Sequence, residues 1–138
     1  MSDQQDIIDL AIAYTWALDT KRVEDLRHIF LPDATATLRG VECSGVDAII
    51  ARIGGSILRL DHTQHLNGNH QVVVAGDTAT CRSQLQSQHV KSDTDGGDNF
   101  IVGGTYEDRL VRTPQGWRIA HRTMAQTWTE GNPAVIRR

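Results

Sequence analysis

The second half of the chain reads as four long strands in succession, and this pattern constrains the fold most strongly. The strand segments are Gln64–Val74, Thr78–Val90, Phe100–Arg112 and Trp117–Trp128. The breaks between them contain the Gly, Asp and Pro residues typical of turns and hairpin loops. Strands joined in this way pair as antiparallel neighbours. Because strands of this length cannot remain flat, we expect the sheet to curl.

The first half of the chain predicts three helices and one short strand. Residues 5–18 carry apolar side chains at helical spacing, which is typical of an amphipathic helix. Lys21–Phe30 predicts a second, shorter helix that ends before Pro32, and Gly45–Ile57 predicts a third. Ala34–Leu38 predicts a short strand. This order favours an α+β fold: a cone-shaped, curled antiparallel β-sheet, or half-barrel, closed by three N-terminal helices.

Size and composition indicate a single globular domain over residues 1–138. Apolar residues make up 39% of the chain and charged residues 22%, which is typical of a soluble protein. The net charge is −3, and basic residues are interspersed with acidic ones. The sequence therefore has no polybasic surface for a phosphate backbone, and nucleic acid is not an expected partner.

The sequence also predicts a cytoplasmic location. The first residues are acidic and lack the basic and apolar regions of a signal peptide. No apolar run approaches the roughly 20 residues needed to cross a membrane, so membrane association is not expected. Cys43 and Cys81 lie in unrelated contexts and are expected to be separate, buried thiols.

The sequence shows no motif for a metal or an organic cofactor. His62, His65 and His70, with Asp61, are the nearest approach to a ligand cluster, but their spacing does not place the three rings on one face of a strand. Nucleotide-binding glycine loops and the Gly-x-Ser-x-Gly motif are absent from the sequence. Gly103–Gly104 lies inside a strand, where it indicates a bulge or a sharp bend.

Asp19 and His65 are the candidate pair for proton transfer. A carboxylate can orient an imidazole ring, fix its tautomer and stabilise its protonated form, so that the second ring nitrogen acts as a base near neutral pH. Each residue also has a structural interpretation. Asp19 could cap the second helix, since aspartate is a good N-cap, and His65 could be a surface residue at the start of a strand.

Three further side chains are candidates for the same pocket. Tyr14 belongs to the apolar stripe of the first helix, and its hydroxyl needs a partner if it is buried. Tyr106 alternates with apolar residues of its strand and should face inward. Arg122 follows Trp117 by five positions, so a regular strand would place the two on opposite faces.

Several segments together resemble the SnoaL-like branch of the nuclear transport factor 2-like superfamily, from about Gln5 to Trp128. The segments that carry the resemblance are Ile12–Lys21, Leu26–Ala34, Thr63–Asn69, Ala75–Ala79, Gly104–Asp108 and Gly116–Arg122. In this superfamily, scytalone dehydratase, hexachlorocyclohexane dehydrochlorinase and bile-acid 7α-dehydratase use an Asp–His pair for elimination.

The resemblance implies a role for six residues. By position, Asp19 and His65 match the Asp–His pair, and Tyr14 matches a polar pocket residue, so these three are the predicted catalytic residues. The predicted substrate-binding residues are Arg122, Tyr106 and Asn67. The second pocket carboxylate of the ketosteroid isomerase branch has no clear counterpart in this sequence.

Two functions remain as expectations. The first is a cofactor-free lyase or isomerase, of the dehydratase type, acting on a hydrophobic cyclic small molecule. The alternative is a non-catalytic domain of the same fold that binds a small molecule or supports assembly, since this fold hosts both. In either case we expect a homodimer or homotrimer that associates through the outer face of the sheet.

Overall fold

Six strands form one sheet in the computed structural model, which describes residues 2–137. The elements in chain order are α1 (Asp3–Asp19), a 3-10 turn (Val23–His28), β1 (Phe30–Leu38), β2 (Val41–Ser44), α2 (Val46–Ile57), β3 (His62–Ala75), β4 (Thr78–Val90), β5 (Asn99–Thr113), β6 (Gly116–Gly131) and a second 3-10 turn (Pro133–Ile136). The strand order is β2-β1-β6-β5-β4-β3. Met1 and Arg138, the ends of the predicted domain, lie outside the described residues.

The predicted α+β architecture with three helical segments is confirmed, but the sheet is mixed. Strands β3 to β6 pair in antiparallel fashion, as do β1 and β2, whereas β1 and β6 are parallel. Parallel pairing is possible here because β1 and β6 are far apart in sequence and no hairpin joins them. The sheet is open, since β2 and β3 form its two edges.

The first half of the chain differs from the sequence prediction in three details. Strand β2 was not predicted, because four residues are too few to show an alternating pattern. The predicted second helix is a short 3-10 turn, and β1 already begins at Phe30. Pro32 therefore lies inside β1, in the stretch where the pairing with β6 is interrupted between Phe30 and Thr35. A proline is tolerated at such an interruption because it needs no ladder hydrogen bond.

Local interactions and backbone conformation define where helix α1 begins and ends. The hydroxyl of Ser2 accepts a hydrogen bond from the backbone amide of Gln5 at 3.1 Å, and two aspartates lie in the first turn. The helix ends at Asp19, and Lys21 then adopts a positive φ of 60°. The buried face of α1, which includes Tyr14 and Leu18, packs against the sheet at β3. This packing places the end of α1 beside the start of β3.

Helix α2 supplies a second apolar surface that faces the sheet. Ile49, Ile53 and Ile57 recur at helical spacing and are buried. The helix continues through Gly54 and Gly55 to Ile57, which is its predicted end. The inner faces of β4, β5 and β6 contribute alternating buried residues to the same core.

A bulge in β6 changes which side chains face inward. Leu110 of β5 is opposite Ile119, and Arg109 is opposite His121, so Ala120 is an extra residue in β6. As a result, Ile119 and Arg122 are both buried, although a regular strand would place them on opposite faces. The expectation that Arg122 lies on the face opposite Trp117 and Ile119 is therefore wrong, because the bulge shifts the alternation by one residue.

The predicted irregularity at Gly103–Gly104 is confirmed. The register shifts between these two glycines, which are opposite Trp128 and Gln126. A Cβ atom on Gly103 would lie 2.0 Å from the Trp128 ring, and one on Gly104 would lie 2.3 Å from the carbonyl oxygen of Ala125. The glycines therefore permit the close approach of β5 and β6 where the sheet bends.

The structure also describes the two cysteines and the apolar character of the helices. Cys43 and Cys81 are free and buried, as predicted. Among residues 2–137, no helix is both long enough and apolar enough to cross a membrane.

Substitution of Gly104 tests the close approach of β5 and β6. We expect Gly104→Ala to lower the free energy of unfolding by about 1–3 kcal/mol, because the new methyl group meets rigid backbone rather than a movable side chain. Gly68→Ala is the matched control, since a Cβ at Gly68 has no atom within 4 Å. Urea unfolding of the two variants checks this, and equal stability would contradict the packing described for Gly104.

Candidate active site

The carboxylate of Asp19 accepts three hydrogen bonds from the start of β3. Its Oδ1 lies 2.6 Å from Nδ1 of His65 and 3.0 Å from the hydroxyl of Thr63. Its Oδ2 accepts the backbone amide of His65 at 2.8 Å. The hydrogen bond at Nδ1 orients the imidazole ring, and the hydrogen bond from the backbone amide fixes the position of His65 relative to Asp19. With Nδ1 engaged by a carboxylate, Nε2 is the nitrogen available to another molecule.

The capping interpretation of Asp19 is wrong. The 3-10 turn that follows α1 begins after Arg22 and has no side-chain cap. Asp19 instead points to β3, because α1 packs on that strand and ends level with its first residues. Thr63 was not identified from the sequence, although its spacing of two from His65 places both on one face of the strand.

Asp19 is held in its ionised form. Burial alone would raise the pKa of Asp19, but the hydrogen bonds from His65 and Thr63 outweigh this effect and keep the pKa below its ordinary value. The side chain of His65 is only 6% exposed. The pair is therefore a shielded carboxylate–imidazole unit, in which the carboxylate remains charged at neutral pH.

His65 lies on the wall of a cavity of about 90 Å³ between α1, α2 and the sheet. Its lining residues are Tyr14, Leu18, Leu38, Arg39, Arg52, Ile53, Ser56, Ile57, His65, Leu85, Ser87, His89, Val102, Tyr106 and Met124. The cavity thus brings together three of the predicted site residues: His65, Tyr14 and Tyr106. Asp19 supports His65 from behind and is not among the lining residues.

His89 is a second imidazole on the cavity wall, and it was not identified from the sequence. Its Nδ1 lies 3.1 Å from the carbonyl oxygen of Phe100, which can only accept, so Nδ1 carries the hydrogen. Burial lowers the pKa of His89 to about 4, and the nearby positive charges lower it as well. His89 is therefore neutral at pH 7, with an unprotonated Nε2. Its inward position follows from the alternation of β4.

The lowered pKa of His89 predicts a loss of stability in acid. Between the ordinary pKa of 6.5 and the folded-state pKa of about 4, the unfolded chain binds more protons than the folded one. Stability should therefore fall as the pH is lowered through this window. In His89→Gln this part of the loss should be absent, and urea unfolding at several pH values would show it. An equal decrease in both proteins would contradict the neutral, buried state of His89.

Arg122 forms the buried centre of the core rather than part of the cavity wall. Its Nε and one terminal nitrogen, Nη2, each donate to Asp108 at 2.7 Å, and neither residue is appreciably exposed. The guanidinium lies 4.2 Å from the ring centre of Tyr14 and 4.0 Å from that of Tyr106. It is thus held by a bidentate ion pair and by two aromatic rings. Removing one partner of such a pair costs about 3–5 kcal/mol.

Tyr14 and Tyr106 connect this charged centre to the cavity. Their rings meet edge to face, with centres 5.5 Å apart. Burial raises the pKa of Tyr14 even though Arg122 opposes the effect, and burial raises the pKa of Tyr106 well above its usual value. Both phenols therefore keep their protons at neutral pH. Both residues line the cavity, and both rings contact Arg122.

Asn67 lies on the inner face of β3 but away from the cavity. Its amide nitrogen donates to the Ser83 hydroxyl at 2.9 Å and to the Gln84 carbonyl oxygen at 2.8 Å, and its oxygen lies 2.9 Å from Nε2 of His70. The structure thus places Asn67 in a polar network between β3 and β4. The substrate-binding roles predicted for Asn67 and Arg122 remain predictions, and neither residue lines the cavity.

The three histidines considered as metal ligands do not converge. His65 bonds to Asp19 and His70 to Asn67. Within the described range 2–137, no group of three or more His, Cys, Asp or Glu side chains is arranged to hold a metal ion.

Comparison with known proteins assigns the fold family. The SnoaL-like domain matches residues 1–123. The chain belongs to the SnoaL-like family. An uncharacterized protein of Mycobacterium tuberculosis is 33% identical over 129 residues, which cover 88% of this chain and 84% of that protein. The resemblance predicted from the sequence is thus confirmed.

Solved structures show the same cone fold. A candidate scytalone dehydratase from Novosphingobium aromaticivorans has a TM-score of 0.84 at 23% identity, covering 93% of this chain and 86% of that one. A hexachlorocyclohexane dehydrochlorinase from Novosphingobium barchaimii has a TM-score of 0.81 at 15% identity, covering 94% and 89% of the two chains. The SnoaL-like family member described here therefore shares its fold with these two proteins.

Proposed function

We propose that the protein is a lyase or isomerase that removes a proton from a hydrophobic cyclic small molecule, using its own side chains. The observation that carries this proposal is the 2.6 Å hydrogen bond between Asp19 and His65, whose ring lies on the wall of a mainly apolar cavity. A carboxylate-bound imidazole beside a mainly apolar space is suited to general base catalysis. Fold relatives that are named as a candidate dehydratase and as a dehydrochlorinase support the reaction class.

The reaction follows from the orientation of His65. Its Nε2 takes a proton from a carbon of the substrate, and the C–H electron pair forms a new double bond. In elimination, the leaving group departs from the neighbouring carbon with its electron pair, and the imidazolium returns the proton to a departing hydroxide as water. In isomerisation, an existing double bond of the substrate breaks as the new one forms, and the imidazolium returns the proton to the carbon that receives its electron pair. Asp19 stabilises the imidazolium in both cases.

Tyr14 and Tyr106 are the proposed donors to the developing negative charge. Both line the cavity and both keep their protons at neutral pH, because burial raises each pKa. A neutral hydroxyl can donate to an oxyanion or to a leaving group in a site that excludes water. We assign Arg122 the role of holding the two rings in place, since its guanidinium contacts both.

The cavity volume limits the substrate to a compact molecule. An engineered apolar cavity of about 150 Å³ in another protein binds benzene, and the cavity of this protein has about 90 Å³. Because this cavity is the smaller of the two, it holds at most about one ring, with the rest of the molecule extending towards solvent. A steroid-sized substrate does not fit without movement of the surrounding helices.

Deuterium exchange into simple probe ketones tests the proposed base. We expect the protein, incubated in D2O with compact cyclic ketones and β-hydroxyketones, to exchange or eliminate at least one of them. His65→Ala should lower this rate by about 10²–10⁴-fold, the usual contribution of a general base. Asp19→Asn should also lower it, and the double variant should lose little more than the worse single one. Mass spectrometry of the recovered ketones gives the rates.

The control is His62→Ala, which removes an exposed histidine from the same strand. It should retain the rate of the unaltered protein. Equal rates in His65→Ala and the unaltered protein would reject the dyad. Ligand binding without exchange or elimination in any protein would favour the non-catalytic alternative.

Self-association and a cytoplasmic location are further parts of the proposal. Leu66, Val73 and Trp128 are large exposed apolar residues on strands of the sheet, which supports a homodimer or homotrimer formed through the outer face. The molar mass in solution at micromolar concentration tests this, and a mass of 15.3 kDa throughout would contradict it.

A further inference from the structure

Ser87 is a buried polar residue on the cavity wall that the proposed reaction does not yet use. It is 3% exposed and lies on the inner face of β4, in the alternating pattern that also buries Leu85. Both Ser87 and His65 line the cavity. Within residues 2–137, the Ser87 hydroxyl has no hydrogen-bond partner. A buried hydroxyl without a partner is unfavourable, so a molecule in the cavity that bonds to it gains affinity.

The register of the sheet places Ser87 directly opposite His65. The two residues are partners in the antiparallel pairing of β3 and β4. The backbone amide of His65 donates to Asp19 and not to β4, so the pair is of the type without ladder hydrogen bonds, in which the side chains are closer. The Cβ atoms of directly opposed residues lie about 4.5–5.5 Å apart. A group bound to Ser87 is therefore beside the imidazole of His65.

The chemistry of a serine side chain indicates which group it binds. Its hydroxyl donates one hydrogen bond and accepts up to two, and it carries no charge. It therefore complements another neutral group that both donates and accepts, which is the character of an alcohol. In a cavity lined mainly by apolar side chains, one such contact fixes the orientation of a compact molecule.

We propose that Ser87 binds the departing hydroxyl group of the substrate beside His65, and that the substrate is a compact β-hydroxy carbonyl compound. This inference rests on the proposed function, because it names the leaving group of the same reaction. Nε2 of His65 takes the proton from the carbon next to the carbonyl group, and the C–H electron pair forms the new double bond. The C–O bond breaks with its electron pair on oxygen, the imidazolium gives its proton to that oxygen, and water leaves.

The position of Ser87 beside the imidazole favours a hydroxyl group over a halide as the leaving group. Hydroxide is a poor leaving group and departs readily only as it is protonated, so its oxygen must lie beside the proton that His65 has gained. A halide leaves without this proton and does not need the same position. A hydroxyl group held at Ser87 thus allows one imidazole to carry out both proton transfers.

Two ketones that differ in one hydroxyl group test this proposal. The full chain is incubated in D2O with 3-hydroxycyclohexanone, which can lose water, and with cyclohexanone, which can only exchange its α-hydrogens. Mass spectrometry gives both rates. Ser87→Ala should lower the rate of elimination about 3–10-fold, the scale of one lost hydrogen bond, and leave the rate of exchange unchanged. Ser87→Thr, which keeps the hydroxyl group, should retain elimination.

Melting temperatures distinguish this role from a structural one. Because the Ser87 hydroxyl has no partner in residues 2–137, Ser87→Ala should keep or raise the melting temperature. Ser44→Ala is the control, since it removes a serine hydroxyl from an exposed position on β2 and should change neither rate. Unchanged elimination in Ser87→Ala, an equal decrease of elimination and exchange, or a clear drop in its melting temperature would overturn the proposal.

The two ketones also separate this proposal from the proposed function. His65→Ala should lower both rates, because both reactions need the base. Exchange that depends on His65, together with elimination that does not depend on Ser87, would support the base and reject the role of Ser87. Elimination that depends on Ser87 and not on His65 would do the reverse.

Discussion

The hydrogen bonds to the Asp19 carboxylate connect the two halves of the molecule. Asp19 is the last residue of α1, and its partners Thr63 and His65 are at the start of β3. Apolar packing holds the helix against β3, and this contact joins its last residue to the strand that carries His65. One interaction thus connects the helix beside the enclosed space to the imidazole on its wall.

The core behind the cavity is organised around a charge rather than around apolar side chains alone. Arg122 is fully buried, and it is accommodated because Asp108 and two tyrosine rings surround it. Ordinary aliphatic packing could fill this volume at lower cost in desolvation. The ionic centre instead gives the two phenol rings fixed positions, which aliphatic neighbours would leave less defined. The arrangement links the stability of the core to the geometry of the site.

The sequence predicts the fold class and several residues of the candidate site because these depend on repeated or local patterns. Alternation identified strands β3 to β6 and the inward position of Tyr106, and the family resemblance identified Asp19 and His65. Alternation did not predict the face on which Arg122 lies. A single extra residue at Ala120 reverses the alternation, and no glycine or proline marks it in the sequence. His89 was missed for another reason. Its place on the cavity wall depends on elements that are distant in sequence and meet only in the folded chain.

The bulge at Ala120 has a consequence for the chemistry available to β6. A regular strand offers one face only every second residue, so groups separated by an odd number of positions cannot share it. With the extra residue, Ile119 and Arg122 lie on the same side although three positions separate them. Strand β6 thus places an apolar side chain and a cation on the same, inward face of the sheet. A regular strand could combine the two only at an even spacing, so the inserted residue allows β6 to combine them at a spacing of three.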